Sequence, residues 1–349
     1  LSASRAHEMG GIPRIGIDAM GGDLGPSAVA TGTVMAFREM PGRFTVTLVG
    51  DEGVIRPALQ RAGGADLPIE VVHTDGQVGM SEKATIAARR RSSTSIGVAI
   101  QLHKDGKLDA VFSAGNTGAV VATALIGLGR LEAVSRPALA VFMPSTAGGT
   151  VLLDVGANAE CKPSYLVQFA HMGSVYARYL LGRENPRVGL LSIGEEETKG
   201  NPLVFEAGDL LRRARHLNFI GHVEGRDLFR GTCDVVVTDG FTGNVLLKTA
   251  EGVAAMLVSI MRQDIRQDVL ATLGMVLMRP AMMRMKHQLD WEEHGAAPLL
   301  GLNGVCFVGH GSSGPRAFKS AIRTITAFVE KRVNEHIREE IEADHDSAA

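Results

Sequence analysis

Residues 14–26 read RIGIDAMGGDLGP and set the pattern that the rest of the chain follows. Residues 14–18 are a short apolar run typical of a buried strand, and a glycine-rich turn follows at 19–26. Pro26 lies just before residues 27–39, where apolar side chains recur at helical spacing, so it marks a helix start. The stretch therefore predicts a strand, a turn and a helix in succession.

The same order recurs along the chain. Asp51 has the residue type of a helix cap and predicts a helix at 52–62, and a longer charged helix is predicted around 84–104. Further strands are predicted at 44–50, 69–73, 110–113, 188–193 and 235–238, with a β-pair at 138–144 and 150–155. Continuous Val, Ile and Leu strands that alternate with helices predict an α/β fold with a largely parallel sheet covered on both faces. The β-pair makes the predicted sheet mixed.

The length of 349 residues is more than twice that of a typical domain. We expect residues 14–330 to form a single large α/β domain of two intertwined lobes. A disordered or flexible extension is expected at 1–13, and a helix end with a tail at 331–349.

Composition excludes several classes of function. Lys+Arg 36 against Asp+Glu 38 gives a net charge of −2, and aromatic residues make up 5%, so we expect no nucleic-acid binding. The three cysteines are far apart and form no zinc-binding pattern, so no metal is expected. No apolar run typical of a secretory signal occurs near residue 1, and the longest uncharged run, 110–129, contains polar residues. We therefore expect a cytoplasmic protein without a membrane span.

Glycine and polar residues follow six predicted strands or apolar runs. Ligands of open α/β sheets bind at the carboxyl ends of strands, and exposed amides at a helix start bind anions. We expect the six turns to lie on one edge of the sheet and to bind phosphate or substrate. The candidate residues are Asp18, Gly21, Gly22, Asp23, Ser113, Gly115, Thr117, Asp154, Asn158, Gly194, Asp239, Gly240, Thr242, Asn244 and Ser312. Lys162, Lys199 and Lys248 supply positive charge within or just after such turns. Any one turn, taken alone, is more often an ordinary helix cap.

Better-known site motifs are missing or weak. No GxGxxG follows the first strand, no GxxxxGK[ST] occurs, and residues 311–314 do not form the GxSxG motif of hydrolases. Cys161 beside Lys162 is a weaker candidate nucleophile, because a lone cysteine usually lies in a core. His310 stands between two glycines and can lie close to a ligand, although a structural role remains open.

Residues 256–290 are the other unusual segment. The first part is amphipathic, and an apolar tip follows at 273–278 before several basic residues. A helical hairpin that buries its methionines against a second subunit and one that lies on a membrane surface are both consistent with this pattern. The candidate membrane contacts are Leu273, Met275, Val276, Leu277 and Met278.

A series of motifs resembles the PlsX-type phosphate acyltransferases of bacterial phospholipid synthesis. They are IGIDAMGGDLGP, VFSAGNTGA, LLDVGANAECKP, SIGEEETKGN, FIGHVEGRD, VVVTDGFTGNVLLKT and APLLGLNGV followed by GHGSS, and they extend over about residues 14–329. The resemblance implies a three-layer α/β/α sandwich like that of isopropylmalate dehydrogenases and phosphotransacetylases. It also implies a homodimer, peripheral association with the inner face of the cell membrane, and no metal or other cofactor. Residues 80–85 depart from the usual family pattern before the basic helix.

The resemblance further implies transfer of a fatty acyl group from acyl carrier protein to inorganic phosphate. Acyl phosphate would then pass to a membrane glycerol-3-phosphate acyltransferase. We expect phosphate to attack the thioester directly, without a covalent acyl-enzyme. The expected catalytic residues are Lys199, Lys162, Asn116 and His310, with Lys199 as first choice for stabilising the phosphate or the oxyanion.

The acidic carrier protein needs a basic surface. Candidate patches are Arg212, Arg213 and Arg215, or Arg284 and Lys286, although a charged helix face is more often simply solvated. Two other functions remain open. One is a phosphate acetyl- or butyryltransferase that uses acyl-coenzyme A, and the other is a non-catalytic scaffold for lipid synthesis at the membrane.

Overall fold

A computed structural model of the chain describes residues 11–267, 274, 277–283 and 296–348. Several candidates from the sequence lie outside these residues, namely Leu273, Met275, Val276, Arg284 and Lys286. The described strands are β1 Arg14–Asp18, β2 Thr45–Gly50, β3 Ile69–His73, β4 Ala110–Ser113, β5 Ala138–Met143, β6 Thr150–Leu153, β7 Arg187–Leu191, β8 Asn218–Val223, β9 Val235–Val237, β10 Ala297–Leu300 and β11 Cys306–Val308. The numbered helices are α1 Gly25–Glu39, α2 Glu52–Ala62, α3 Ala84–Arg89, α4 Ser95–Lys104, α5 Thr117–Leu128, α6 Pro163–Leu181, α7 Pro202–Arg213, α8 Gly225–Arg230, α9 Gly240–Gln267, α10 Pro315–Glu330 and α11 Val333–Ala348.

The strands form one mixed, mostly parallel sheet in the order β3-β2-β1-β4-β11-β10-β5-β6-β9-β7-β8. Three neighbouring pairs are antiparallel, β11 with β10, β10 with β5, and β5 with β6. The remaining pairs are parallel. The predicted α/β/α sandwich with a mixed sheet is confirmed.

The antiparallel pairs change where the turns lie. Because β6, β7 and β9 run opposite to β1, β4 and β11, the carboxyl ends of these two groups of strands meet at opposite edges of the sheet. The expectation that all six turns share one edge is therefore wrong. We call the edge with the turns after β1, β4 and β11 the first edge, and the edge with the turns after β6, β7 and β9 the second edge.

Helices cover both faces of the sheet. One face packs against α1, α2, α6, α7, α10 and α11, and the other packs against α4, α5, α8 and the start of α9. Phe112 of β4 is fully buried, and its ring meets Phe318 of α10 edge-on at 5.3 Å. Burying one such side chain stabilises the folded state by roughly 1.5–3 kcal/mol. Packing of this kind on both faces fixes the positions of the strands and hence of their turns.

The two parts of the chain repeat one design. Residues 13–17 read PRIGI and residues 186–190 read PRVGL, while 109–118 read DAVFSAGNTG and 234–243 read DVVVTDGFTG. In each half the first segment forms a strand that pairs in parallel with the strand of the second segment, β1 with β4 and β7 with β9. Each half also receives a hairpin from elsewhere in the chain. Strand β6 of the hairpin β5–β6 pairs with β9, and strand β11 of the hairpin β10–β11 pairs with β4.

The same ion pair closes both halves. Arg14 at the start of β1 donates from its backbone and its guanidinium to Asp109, at 2.7–3.0 Å. Arg187 at the start of β7 donates in the same way to Asp234, at 2.9–3.2 Å. Burial acts to raise the pKa of Asp234, but the hydrogen bonds from Arg187 outweigh burial and lower this pKa.

Local differences from the sequence prediction have simple causes. The chain beyond residue 331 forms a helix of its own, α11, which follows Arg332 in a left-handed conformation with φ 50°. Strands β8, β10 and β11 were not predicted, because they are short or contain glycine or proline. The predicted helix at 84–104 is divided into α3, a 3₁₀ turn at Arg91–Ser93 and α4, which begins after the Thr94 cap.

Candidate functional site

Three turns meet at the first edge. A β-carbon on Gly21 would lie 2.8 Å from the amide nitrogen of Gly115, so only glycine allows the turns after β1 and β4 to touch. Gly22 has φ +91°, and the next amide, that of Asp23, donates to the carbonyl oxygen of Gly311 at 2.7 Å. The turns after β1, β4 and β11 therefore form one cluster, which we call the first-edge cluster.

A buried carboxylate fixes the floor of this cluster. Asp18 accepts a hydrogen bond from the Ser113 hydroxyl at 2.7 Å and one from the amide of Met20 at 3.1 Å. Burial raises the pKa of Asp18, and hydrogen bonds, including one from Ser95 of α4, act against that rise. Asp18 and Ser113 thus serve to hold the turns together.

Asn116 organises the start of α5. Its side-chain oxygen accepts from the amide of Ala119 at 3.0 Å, and its side-chain nitrogen donates to the carbonyl oxygens of Met80 and Glu82 at 2.7 and 3.1 Å. The whole side chain is therefore engaged in capping α5 and in fixing residues 80–82. The amides of Thr117 and Gly118, in the exposed first turn, have no hydrogen-bond acceptor among the described residues.

The turn after β11 carries a row of polar side chains. The Nδ1 atom of His310 lies 2.8 Å from the hydroxyl oxygen of Ser312, and its Nε2 atom lies 3.1 Å from the Nζ atom of Lys248. Lys248 also donates to Glu251, one turn further along α9, at 2.8 Å. This turn joins the rest of the cluster because the amide of Gly309 donates to the carbonyl oxygen of Ser113 at 2.8 Å.

The second edge is organised differently, around Asp154. This carboxylate is fully buried, and burial raises its pKa against the hydrogen bonds, which lower it. Its oxygens accept hydrogen bonds at 2.7–3.2 Å from the amides of Leu139, Gly156, Ala157 and Asn158 and from the side chain of Asn158. The amides that follow β6 are thus directed at a carboxylate of the protein itself.

The turn after β9 closes against the same residues. The amide of Gly240 donates to the carbonyl oxygen of Asn158 at 2.8 Å, and a β-carbon on Gly243 would lie 1.9 Å from the carbonyl oxygen of Asp154. Asp239 accepts from both the amide and the hydroxyl of Thr242, at 2.9 and 2.7 Å. Asn244 is exposed, and its side chain faces Gly156.

The two lysines favoured from the sequence also lie at the second edge. Lys162 is exposed and precedes α6, and its side chain makes no capping hydrogen bond. Lys199 is exposed in the turn after β7, where its Cγ atom lies 2.9 Å from the place that a β-carbon on Gly194 would occupy. The four catalytic candidates are therefore divided, with Asn116 and His310 at the first edge and Lys162 and Lys199 at the second.

The cysteines have the character of core residues. Burial raises the pKa of Cys161 to about 12, with further contributions from Asp154 and Asp239. Burial also raises the pKa of Cys233 to about 11 and that of Cys306 to about 12. A thiolate nucleophile is disfavoured at all three positions near neutral pH. Among the described residues, no three His, Cys, Asp or Glu side chains converge to hold a metal ion.

Helix α9 connects the two edges and continues beyond them. It begins at Gly240 and carries Lys248 about 12 Å along its axis, at 1.5 Å per residue, to the first edge. Its later turns expose large apolar side chains, among them Val253, Met256, Leu257, Val258 and Ile260. Gly240–Met261 is long and apolar enough to cross a membrane by length and composition, and Gly240 and Gly243 are its buried residues.

Comparison with known proteins identifies the family. The fatty acid synthesis protein family matches residues 13–336. The chain belongs to this family. It is 47% identical over 330 residues to the phosphate acyltransferase of Pelotomaculum thermopropionicum, covering 95% of each chain. It is 44% identical over 331 residues to the phosphate acyltransferase of Geobacter sulfurreducens, again covering 95% of each. The resemblance and the assignment to the acyltransferases are confirmed.

Solved structures show the same fold at low identity. A phosphotransacetylase from Streptococcus pyogenes superimposes with a TM-score of 0.59 at 17% identity, covering 93% of this chain and 94% of that one. The EutD phosphotransacetylase from Staphylococcus aureus gives a TM-score of 0.58 at 14% identity, covering 92% and 94%. The expected likeness to the phosphotransacetylase fold is therefore confirmed.

Sequence reasoning missed two features of the site. The sequence predicts Asp154 as a ligand-binding residue, whereas in the structure five donors of the protein itself occupy its carboxylate. The contact between Lys248 and His310 joins residues 62 positions apart, which no local pattern reports. One available signal is that Lys248 is the first charged residue of α9.

Proposed function

We propose that this protein transfers a long-chain acyl group from acyl carrier protein to inorganic phosphate at the first-edge cluster. The observation that carries phosphate acyl transfer is the near full-length match to proteins named phosphate acyltransferase at 44–47% identity. The open amides of Thr117 and Gly118 at a helix start support the placement of phosphate at this edge. At the second edge, the amides of Ala157 after β6 and Thr242 after β9 already donate to carboxylates of the protein itself.

The reaction asks mainly for positioning and charge stabilisation. One oxygen of hydrogen phosphate forms a bond to the thioester carbonyl carbon, the C–S bond breaks, and the proton of hydrogen phosphate ends on the departing sulfur. A thiol has an ordinary pKa of about 8.5, so the leaving group needs little acid assistance. Donors at α5 and the Ser312 hydroxyl would hold the phosphate and the oxyanion, and a donor of this kind is worth about 10²–10³ in rate.

A direct attack fits the side chains at the first edge better than a cysteine acyl-enzyme. Cys161 lies at the second edge beside Asp154, and the pKa of its thiol is raised to about 12. Cys233 and Cys306 are buried. The proposal therefore keeps the acyl group off cysteine throughout the reaction.

Exposed apolar side chains beside the first edge support a long acyl chain. Leu24, Met80 and Ile86 expose 55%, 45% and 46% of their surface, and the Cε atom of Met80 lies 2.7 Å from the place that a β-carbon on Gly311 would occupy. A Met80→Ser variant is expected to raise KM for a long-chain donor several-fold and to leave KM for a short-chain donor within about twofold. An equal rise in KM for both donors would show that Met80 does not bind the acyl chain.

The proposal and its main alternative differ in the acyl donor. The alternative is an acetyl- or butyryltransferase that uses acyl-coenzyme A instead of acyl carrier protein. Arg213 and Arg215 are exposed, and neither forms an ion pair with the described residues, whereas Arg212 pairs with Glu197 and Asp209. Arg213 and Arg215 are thus the better part of this patch for an acidic carrier protein. Replacing both with Glu is expected to raise KM for acyl carrier protein about tenfold or more, with much less change for acyl-coenzyme A.

We further propose a homodimer at the inner membrane surface, which hands acyl phosphate to a membrane glycerol-3-phosphate acyltransferase. The apolar side chains of α9 are exposed, and so are Leu277 and Met278 beyond it, at 77% and 57%. This exposure supports a surface that a second subunit or a membrane covers. Deleting residues 273–278 is expected to release the protein from anionic vesicles while largely sparing phosphate transfer. Retained vesicle binding would contradict the membrane assignment, and sedimentation of the same variant reports the dimer separately.

The overall assignment is tested by product formation. Long-chain acyl carrier protein and phosphate are incubated with the protein, without added metal or nucleotide, and acyl phosphate is trapped with hydroxylamine as the hydroxamate. Phosphate-dependent product supports the proposal. Product from acyl-coenzyme A alone favours the alternative, and turnover of neither donor favours a scaffold.

A further inference from the structure

Lys248 and His310 form a contact that the reaction as described does not require. The ammonium of Lys248 has three donors and no acceptor, so its 3.1 Å contact with His310 makes Nε2 of the ring the acceptor. Glu251 accepts from the same ammonium at 2.8 Å and holds it in place on α9. The lysine is therefore aimed at one ring nitrogen of His310.

This contact determines which ring nitrogen carries the proton. A neutral imidazole has one donor and one acceptor, so a ring that accepts at Nε2 carries its hydrogen on Nδ1. That hydrogen lies toward the hydroxyl oxygen of Ser312 at 2.8 Å. The amide of Ser312 also faces Nδ1, at the longer distance of 3.3 Å, and would favour the opposite tautomer. The charged donor makes the shorter and stronger bond and decides the outcome.

The tautomer in turn decides what the Ser312 hydroxyl can do. If Nδ1 carries the hydrogen, the Ser312 oxygen accepts from the ring, and its own hydrogen is free for an anionic oxygen. If Nε2 carries the hydrogen, Ser312 donates to Nδ1, and the pair has the arrangement of an activated serine nucleophile. The contact with Lys248 therefore decides whether the Ser312 hydroxyl donates to an anion or acts as an activated nucleophile.

We propose that Lys248 is a positioning residue, which fixes His310 as its Nδ1–H tautomer and keeps Ser312 as a hydrogen-bond donor to the substrate anion. The effect on turnover rests on the proposed function, whereas the tautomer itself does not. No corresponding device exists in the described part of the first half, because the position that matches Lys248 in the repeated segment is Thr123, a buried residue of α5.

The tautomer is measured directly by ¹⁵N NMR on protein labelled at histidine, at pH 8. The signals of His310 are assigned by their loss in His310→Gln. We expect the unprotonated nitrogen to be Nε2 in the wild type, in Lys248→Arg and in Glu251→Gln, and to be Nδ1 in Lys248→Met. An unprotonated Nδ1 in the wild type, or the same tautomer in the wild type and Lys248→Met, would overturn the proposal.

Activity and covalent chemistry give an independent readout. Lys248→Met is expected to lower kcat about 10- to 100-fold at little change in KM for phosphate, and Lys248→Arg is expected to stay within about threefold. Lys107→Met, at an exposed lysine on the loop before β4, is the matched control and is expected to stay near the wild type.

Intact mass after incubation with acyl donor without phosphate is expected to show no acyl group on the wild type, and acyl-Ser312 would overturn the assignment of Ser312 as a donor. If the wild type forms no acyl phosphate at all, the proposed function fails, and the NMR result still decides the tautomer.

Discussion

The two halves of the chain build the same pair of parallel strands and close it with the same Arg–Asp pair, yet their turns end in different states. After β9, which matches β4, the carboxylate of Asp239 accepts from the amide and the hydroxyl of Thr242. After β4, Asn116 caps α5 by accepting from the amide of Ala119. The amides of Thr117 and Gly118 have no acceptor among the described residues. Glycine and polar residues after a strand therefore do not by themselves make an anion site. The position of the nearest internal acceptor decides it.

The largest expected effect is at the first edge. His310→Gln removes the ring that orders Ser312 and is expected to lower kcat about 10²–10³-fold, because a preorganised donor near the reacting oxygen is lost. Acyl-hydroxamate formation measures the rate, and the thermal unfolding midpoint, expected within a few degrees of the wild type, controls for folding. A kcat near that of the wild type would remove His310 from the site.

The second edge is expected to carry stability. Asp154→Ala leaves five donors without their acceptor, and we expect a loss of about 3 kcal/mol or more in the free energy of unfolding. Asn116→Ala is the matched change at the first edge and should cost about 1 kcal/mol, as the loss of one helix cap does. Urea unfolding of both variants checks the order. A larger loss for Asn116→Ala would contradict the division between the edges.

The repeated ion pairs allow a comparison at matched positions. Asp234→Asn is expected to cost about 1–3 kcal/mol at pH 7 because the charged hydrogen bonds from Arg187 are lost. The pKa of Asp234 is lowered in the folded state, so its contribution is present above the ordinary value of 3.8 and disappears as pH falls through the lower folded value. The difference between wild type and variant should therefore shrink as the pH falls below about 4.

Asp109→Asn is the counterpart in the first half. It is also expected to cost about 1–3 kcal/mol at pH 7, because Arg14 binds Asp109 through its backbone and its guanidinium as Arg187 binds Asp234. Urea unfolding at a series of pH values measures both variants. A gap between wild type and Asp234→Asn that widens at low pH would contradict the lowered pKa.

The smallest effect is expected at the cysteine of the second edge. Cys161 is half-buried and its thiol has a pKa raised to about 12, so Cys161→Ala should change kcat by less than about twofold. Alkylation by iodoacetamide at pH 7.5 should be slow and should leave turnover nearly intact. Rapid alkylation with complete inactivation would restore Cys161 as a nucleophile.

Much of the fold was predictable because local signals agreed with the final structure. The strand–turn–helix order at 14–39, the Asp51 cap and the β-pair that becomes β5 and β6 all follow from short-range pattern. The opposite directions of the two halves did not follow, since they depend on how β10 and β5 pair across the middle of the sheet. That pairing joins residues more than 150 positions apart.

The sequence predicts candidate residue types for the site but not how the fold groups them. Asn116, His310 and Ser312 stand beside turn glycines, which predicts them as site residues, and all three lie at the first edge. Lys162 and Lys199 are predicted from their positive charge within or just after such turns, and they lie at the other edge. Sequence position after a strand gives the carboxyl end, whereas the direction of the strand, which tertiary pairing sets, decides the edge.

The most direct test of the central claim compares the two edges in one assay. Wild type, Ser312→Ala and Lys199→Ala are assayed for phosphate-dependent hydroxamate from long-chain acyl carrier protein. Sequence alone predicts a loss of about 10²–10³ for Lys199→Ala. Our placement of phosphate at the first edge predicts that loss for Ser312→Ala, with Lys199→Ala within about tenfold of the wild type. The reverse order, with Ser312→Ala active and Lys199→Ala inactive, would contradict the account and move the phosphate to the second edge.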